Sequence, residues 1–299
     1  MPSPMTRVVN WVTRVAVKGR LPRPGAADPG RNVAHIRAAF ATPVFPQPGG
    51  RYRSETIASV PGLWTEPAGA ALATVLFLHG GGYVGCSPKT HRPITCAYAR
   101  RGFRVFAPDY RLAPEHRFPA AVDDALAVYR ALLAADVNAR RLIISGDSAG
   151  GGLTLATLVA ARRDGLPVPA CGVLLSPWAD LALTGDSIRA NAGSEPMLTA
   201  DALSVMASLY LGAADARDPL ASPLYADLTG LPPLAIHASD IEVLRDDATR
   251  LAERARAAGV EVALTLWPGQ AHDWAMFQLL LPEARQTMNE VATFITARL

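Results

Sequence analysis

Four uninterrupted apolar stretches constrain this chain more than any other feature. They are VLFLH (Val75–His79), RLIIS (Arg141–Ser145), CGVLLS (Cys171–Ser176) and PLAIHA (Pro233–Ala238). A strand with one face in water alternates apolar and polar residues; a strand buried on both faces does not. Helix-type patterns separate these runs, at 89–101, 119–134, 149–163, 245–258 and 283–298. Further strands are expected at 52–59, 62–66, 104–107 and 261–266. Strands alternating with helices imply a mostly parallel sheet covered on both faces, an α/β architecture. With 299 residues and 50% hydrophobic content, the chain has ample material for such a core.

Two regions break the rhythm. Residues 1–50 hold two Pro/Gly-rich stretches, LPRPGAADPG (21–30) and TPVFPQPGG (42–50), bracketing a short helix pattern at 31–41. Residues 182–231 carry one clear helix pattern, 199–211, and loops, and read as an insertion. In residues 1–20, Val8, Val12 and Val15 share one helical face and Arg7, Arg14 and Lys18 another. An amphipathic helix packed on its own protein is expected there, with a membrane-surface helix as the rival reading. Arg7 and Arg14 interrupt any signal-peptide core.

Gly146-Asp147-Ser148-Ala149-Gly150 is a G-x-S-x-G placed directly after RLIIS and before a helical run. The context matters more than the pattern. A turn tight enough to lift a serine oxygen clear of a sheet tolerates no bulky flanking residues, and it aims a helix N-terminus at that oxygen. His79-Gly80-Gly81-Gly82-Tyr83 follows the strand VLFLH, and consecutive glycines let backbone N–H groups approach a ligand. With the N–H of Ala149, those of Gly81 and Gly82 would form an oxyanion hole. Gly80, Gly82 and Gly85 also spell a dinucleotide fingerprint, but Cys86-Ser87-Pro88 delays the helix such a fingerprint needs.

A general base is then required. Of six histidines, His272 lies after the last predicted strand and before the last helix, where the histidine of a Ser…acid…His order belongs. His79 is read as shaping its glycine turn. The acid should follow the strand at 234–238, leaving Asp240, Glu242, Asp246 and Asp247. The last two stand at a helix start, where acids favour the dipole for structural reasons.

Together these blocks resemble the hormone-sensitive-lipase family of α/β-hydrolases, the bacterial family IV esterases of the GDSAG type. The resemblance covers about residues 70–299 and rests on HGGGY (79–83), DYRLAPEHRFPAAVDD (109–124), GDSAGGGL (146–153), SPWADL (176–181), EVLRDD (242–247) and GQAHDW (269–274). It implies an α/β-hydrolase fold: a mostly parallel eight-stranded sheet with helices on both faces and a small helical cap. The cap would comprise residues 1–50 and 182–231, and the catalytic domain 51–181 and 232–299. It implies a serine carboxylesterase acting on short-chain esters through an acyl-enzyme, with Ser148, His272 and an acid as triad and no cofactor or metal. Relatives carry D-P-L-x-D-[DE] after the penultimate strand, with the first Asp catalytic; in that frame Glu242, not Asp240, is the acid. Asp109 and Arg111 are read as ties for the loops flanking the glycine turn, and Tyr83, Trp178 and Trp274 as pocket lining.

Amide or lactone hydrolysis on the same triad stays open, whereas a non-catalytic receptor of this fold would be expected to lack His272. A net charge of +3 without a run of five Lys/Arg is too small to suggest a nucleic-acid partner, and none is expected; no apolar run reaches the ~18 residues of a membrane span. Three scattered cysteines fit a reducing, cytoplasmic setting. The last strand is expected at a sheet edge, where it would support a homodimer.

Overall fold

The computed structural model describes residues 2–22, 29–41, 47, 50–135 and 137–299; most of both Pro/Gly-rich stretches lies outside them. Eight strands among the described residues form one sheet. They are β1 (Arg51–Ile57), β2 (Val60–Glu66), β3 (Ala73–Leu78), β4 (Phe103–Pro108), β5 (Leu142–Asp147), β6 (Cys171–Leu175), β7 (Leu234–Ser239) and β8 (Val262–Trp267). Their order is β1-β2-β4-β3-β5-β6-β7-β8. Only β1–β2 and β2–β4 pair antiparallel; every other pairing is parallel. All residues of β3, β5, β6 and β7 are buried, as their unbroken apolar runs require. β8 closes one edge of the sheet and is half-buried.

Side-chain alternation along the strands splits the core in two. Val75, Phe77, Val105, Ile143 and Val173 point to the face covered by α3 (Arg92–Ala99) and α9 (Pro282–Thr296). Leu76, Leu78, Ile144, Leu174 and Ile236 point to the face covered by α4 (Ala120–Ala134), α5 (Ala149–Arg163) and α8 (Arg245–Ala257). α5 is buried from Ala149 through Ala161, which explains why its sequence is apolar all round.

Outside this frame lie α1 (Pro4–Ala16), α2 (Pro29–Phe40), α6 (Ser187–Ala190) and α7 (Ala200–Leu211). α1 is docked on the protein, but not by the face its valines suggested. Val8, Val12 and Val15 are exposed, with Trp11 the most so at 66%. The inward side carries Thr6, Val9 and Thr13. It is fixed by hydrogen bonds from Thr6 to Gln270, from Asn10 to the Gly269 carbonyl, and from Arg14 to the Gly193 and Ser194 carbonyls. Lys18, just beyond the helix, donates to the carbonyls of Ala192 and Glu195. Arg14 and Lys18, expected on a solvated face, thus bond the 192–195 carbonyls, Arg14 while remaining exposed. No helix among the described residues is long and apolar enough to cross a membrane.

α2 and α7 both reach the glycine turn after β3. Arg37 of α2 donates to the Val84 carbonyl at 2.9 Å. In α7, Tyr210 stacks on Tyr83 with ring centroids 3.9 Å apart, and Met206 lies against Gly82.

Candidate active site

Ser148 occupies the turn between β5 and α5 with φ 52° and ψ −123°, a conformation L-residues avoid. The turn closes because its flanks are bare: a Cβ on Gly146 would strike the Gly150 carbonyl, and one on Gly150 the Leu78 carbonyl. The backbone is pinned by Ser148 N–H donating to the Leu175 carbonyl at 2.8 Å and by Trp178 N–H donating to the Ser148 carbonyl at 2.9 Å.

Three loops at the carboxyl ends of β5, β7 and β8 bring Ser148, Glu242 and His272 into line. His272 Nε2 lies 2.8 Å from Ser148 Oγ, and His272 Nδ1 lies 2.7 Å from Glu242 Oε2. The other Glu242 oxygen, Oε1, accepts the Ser176 hydroxyl at 2.8 Å and the Ser239 N–H at 2.6 Å. Both carboxylate oxygens are therefore committed, which fixes the imidazole plane. Asp240 does not reach His272; it accepts the Gly269 N–H and so ties the acid loop to the histidine loop. Asp246 and Asp247 face away: Asp246 accepts the Ser187 N–H, and Asp247 the N–H groups of Ala179 and Asp180.

The glycine turn faces Ser148. Gly81 and Gly82 have φ of 115° and 63°, and their N–H groups have no acceptor among the described residues. Ala149 opens α5, where N–H groups lack intrahelical acceptors. The turn is anchored by Gly80 N–H donating to Asp147 Oδ1 at 3.1 Å, while Asp147 Oδ2 lies 3.0 Å from His91 Nε2. His79 Nδ1 contacts the Gly80 carbonyl, and its ring stacks on Tyr110, whose hydroxyl donates to the His79 carbonyl. Burial, with His91 nearby, pushes His79 down to about 3, so it stays neutral and structural.

Two readings of the surrounding blocks need correction. Arg111 binds Asp124 of α4 at 2.7 Å, not the glycine turn. It is Tyr110 and Ala113 of the same segment that hold the turn, Ala113 N–H donating to the Tyr83 carbonyl. Tyr83, Trp178 and Trp274 are all fully buried. Trp274 donates to Thr287 and packs with Val9, Trp267 and Leu281 beneath α1, so it is core rather than pocket lining. Trp178 spends its indole N–H on the Asp180 carbonyl.

The chain as a whole is similar to known proteins. A family model described as alpha/beta hydrolase fold matches residues 75–276. An acetyl-hydrolase of Streptomyces hygroscopicus is 41% identical over 288 residues, 96% of this chain and 92% of the relative. An esterase of Acinetobacter venetianus is 36% identical over 257 residues, 85% of each chain. A crystal structure of an esterase from the bacterial hormone-sensitive lipase family has a TM-score of 0.91 at 40% identity, covering 100% of this chain and 99% of that one. The chain belongs to the hormone-sensitive-lipase family of α/β-hydrolases.

Against the family blocks, two carboxylates near the site were not singled out from the sequence. Glu195, from the segment before α7, is fully buried and accepts the N–H groups of Met197 and Val243. Burial drives it up to about 7, with the Glu242 charge adding and His272 opposing. Asp273 lies beside His272, with Oδ2 3.2 Å from Nε2. Nothing local marks Glu195, since it is far from every motif in the chain. Asp273 was visible as the neighbour of a hydrolase-family histidine, but which way its side chain turns depends on its left-handed backbone, φ 55° and ψ 34°.

Proposed function

We propose that this chain is a serine carboxylesterase in which Ser148, His272 and Glu242 form the catalytic triad. The reading is carried by the continuous Ser148–His272–Glu242 hydrogen-bond chain, 2.8 Å and 2.7 Å, facing the Gly81–Gly82 turn. It is supported by relatives named esterase and acetyl-hydrolase. The carboxylic ester carbonyl is attacked by Ser148 Oγ as His272 Nε2 takes its proton. Glu242 holds Nδ1–H and stabilises the imidazolium. The N–H groups of Gly81, Gly82 and Ala149 hold the oxyanion. The imidazolium then protonates the departing alcohol, and water repeats the cycle on the acyl-enzyme.

Residues 1–50 and 182–231 are read as the cap, and 51–181 with 232–299 as the catalytic domain. A preference for acyl chains of about two to eight carbons is argued from the way α7 presses Met206 and Tyr210 onto the glycine turn, leaving Ser148 only 7% exposed. A homodimer through the edge strand β8 and a cytoplasmic location, in keeping with free Cys86, Cys96 and Cys171, complete the reading. The test is turnover of p-nitrophenyl esters of graded chain length alongside p-nitroanilides, for wild type and Ser148→Ala. Esters turned over best at short chains, no anilide turnover, and an inactive Ser148→Ala are expected. An active Ser148→Ala would remove the triad assignment.

A further inference from the structure

His272 Nε2 faces two oxygens. One is Ser148 Oγ at 2.8 Å; the other is Asp273 Oδ2 at 3.2 Å. With Nδ1–H given to Glu242, a neutral imidazole presents only a lone pair at Nε2. That lone pair suits the Ser148 hydroxyl but repels an ionised Asp273. The contact becomes attractive when the imidazole carries its second proton. Asp273 adopts a left-handed backbone that a non-glycine residue enters at a cost, and its Oδ1 has no hydrogen-bond partner among the described residues. Among the described residues no other side chain bonds this carboxylate.

The surroundings favour keeping that proton. From the end of β5, Asp147 adds a negative charge; from the loop after β7, Glu242 adds another. Glu195 also interacts with His272 and Glu242, but burial drives it up to about 7, so it is largely uncharged on the acid side of that value. Of the nearby imidazoles, His91 is bonded to Asp147 and also feels the Asp273 charge, while His79 beside it is kept neutral by burial. The Cys86 thiol, also facing Asp147 and Asp273, is pushed up to about 12 by burial and carries no charge at neutral pH. Burial lifts Asp273 to about 6 despite the opposing His272. Burial alone would lower His272, but Asp273 and then Glu242 outweigh it and hold the imidazole well above its ordinary value.

Resting on the triad reading above, we propose that Asp273 is a positioning residue whose carboxylate, close against His272 Nε2, holds the imidazole in its protonated form, so that the base becomes free to accept the Ser148 proton only after the imidazolium releases its extra proton to solvent. The balance is simple. The protonated pair loses one proton, leaving neutral His272 and ionised Asp273. Ser148 Oγ–H then transfers its proton to Nε2 as the Oγ–acyl bond forms, and the ionised Asp273 stabilises the imidazolium so produced. Asp273 thereby sets the acid limb of the activity profile.

The experiment is the pH dependence of kcat/KM on an uncharged p-nitrophenyl ester, for wild type, Asp273→Asn and Asp273→Gly. Both replacements tolerate the left-handed backbone, so folding is kept by at least one. The acid limb should move to lower pH by about one unit or more in both, the size expected for removing a charge within ~4–6 Å. At a pH on the wild-type limb, activity relative to plateau should rise about tenfold. The pH dependence of Ser148 phosphylation by a neutral organophosphate should shift by the same amount. Limbs that coincide with wild type, or move to higher pH, would overturn the proposal. Ser148→Ala and His272→Ala run in parallel keep the two readings apart: if both are inactive while the limb is unmoved, the triad stands and only the role of Asp273 falls.

Discussion

Asn191 Nδ2 donates to the main-chain carbonyl of Glu242 at 2.7 Å, and to that of Asp240 at 3.0 Å. The acid loop is thus held from outside the sheet by the insertion after β6. Ser194 adds a hydroxyl to the Ile241 carbonyl, and Glu195 accepts Val243 N–H. The same 191–195 segment is gripped on its far side by Arg14 and Lys18. Hydrogen bonds thus link the N-terminal helix to this segment, and this segment to the backbone of the loop that carries Glu242.

Asn191→Ala breaks two of those bonds while touching no reacting atom. A loss of stability of about 0.5–1.5 kcal/mol is expected, since water can reach the freed carbonyls. kcat should fall several-fold with little change in KM, because the imidazole is less well oriented but the substrate pocket is intact. Steady-state kinetics with thermal melts measure both. A changed KM at constant kcat would place Asn191 in substrate binding instead.

The parallel sheet and the order of its strands with helices were legible because burial on both faces leaves an unbroken apolar signature, as in Leu142–Ser145. The elbow and glycine turn were legible because close backbone approach excludes a side chain at Gly146, and left-handed backbone disfavours one at Gly81 and Gly82. The orientation of α1 was not. Apolar periodicity at Val8, Val12 and Val15 suggested the buried face, yet Thr6, Asn10, Arg14 and Lys18 recur every fourth residue and make the actual contact. Hydrogen bonds to loop carbonyls dock this helix, and a hydropathy pattern carries no record of where those carbonyls lie. Glu195 was hidden for the same reason: Val243, its distant partner, is brought to it by the fold.

Glu242→Gln and Asp240→Asn form a paired test of the acid. Glu242 carries His272 Nδ1, the Ser176 hydroxyl and the Ser239 N–H, so an amide there presents a donor where only acceptors fit. A fall in kcat of up to ~10⁴ is expected. Asp240 holds only the Gly269 N–H. Its replacement by Asn should leave kcat within about threefold. A near-wild-type Glu242→Gln beside a crippled Asp240→Asn would transfer the role, with circular dichroism used to check folding.

Gly82→Ala tests the oxyanion turn. The position has φ 63°, and an added Cβ would collide with the Met206 sulfur. Relief requires either the turn or α7 to move, and movement of the turn withdraws its N–H donors. A loss of about 10²–10³ in kcat is expected, the cost of one missing donor. Met206→Ala in the same chain should restore part of it by opening the space. A double variant no better than Gly82→Ala would assign the loss to backbone strain alone.

Asp247→Asn tests how buried carboxyls shape stability against pH. Asp247 is fully buried, accepts the N–H groups of Ala179 and Asp180, and is pushed up to about 8 by burial and then by the Asp180 charge. An unfolded aspartate titrates near ~3.9. Between those values the folded state keeps a proton that the unfolded state has lost, so the associated stability is complete below ~3.9 and drains away as pH rises towards about 8. Glu195 at about 7 and Asp273 at about 6 act in the same direction. At the acid end the sign reverses: His79, held at about 3, and His237, held at about 4 by burial, contribute stability that is present above ~6.5 and lost as pH falls through their folded values. Asparagine keeps an acceptor for both N–H groups but has no proton to lose. The wild-type Tm should therefore decline from about pH 5 to about pH 8.5, and the decline should be shallower in Asp247→Asn. Parallel Tm–pH curves for the two proteins would mean that Asp247 is already ionised in the folded state.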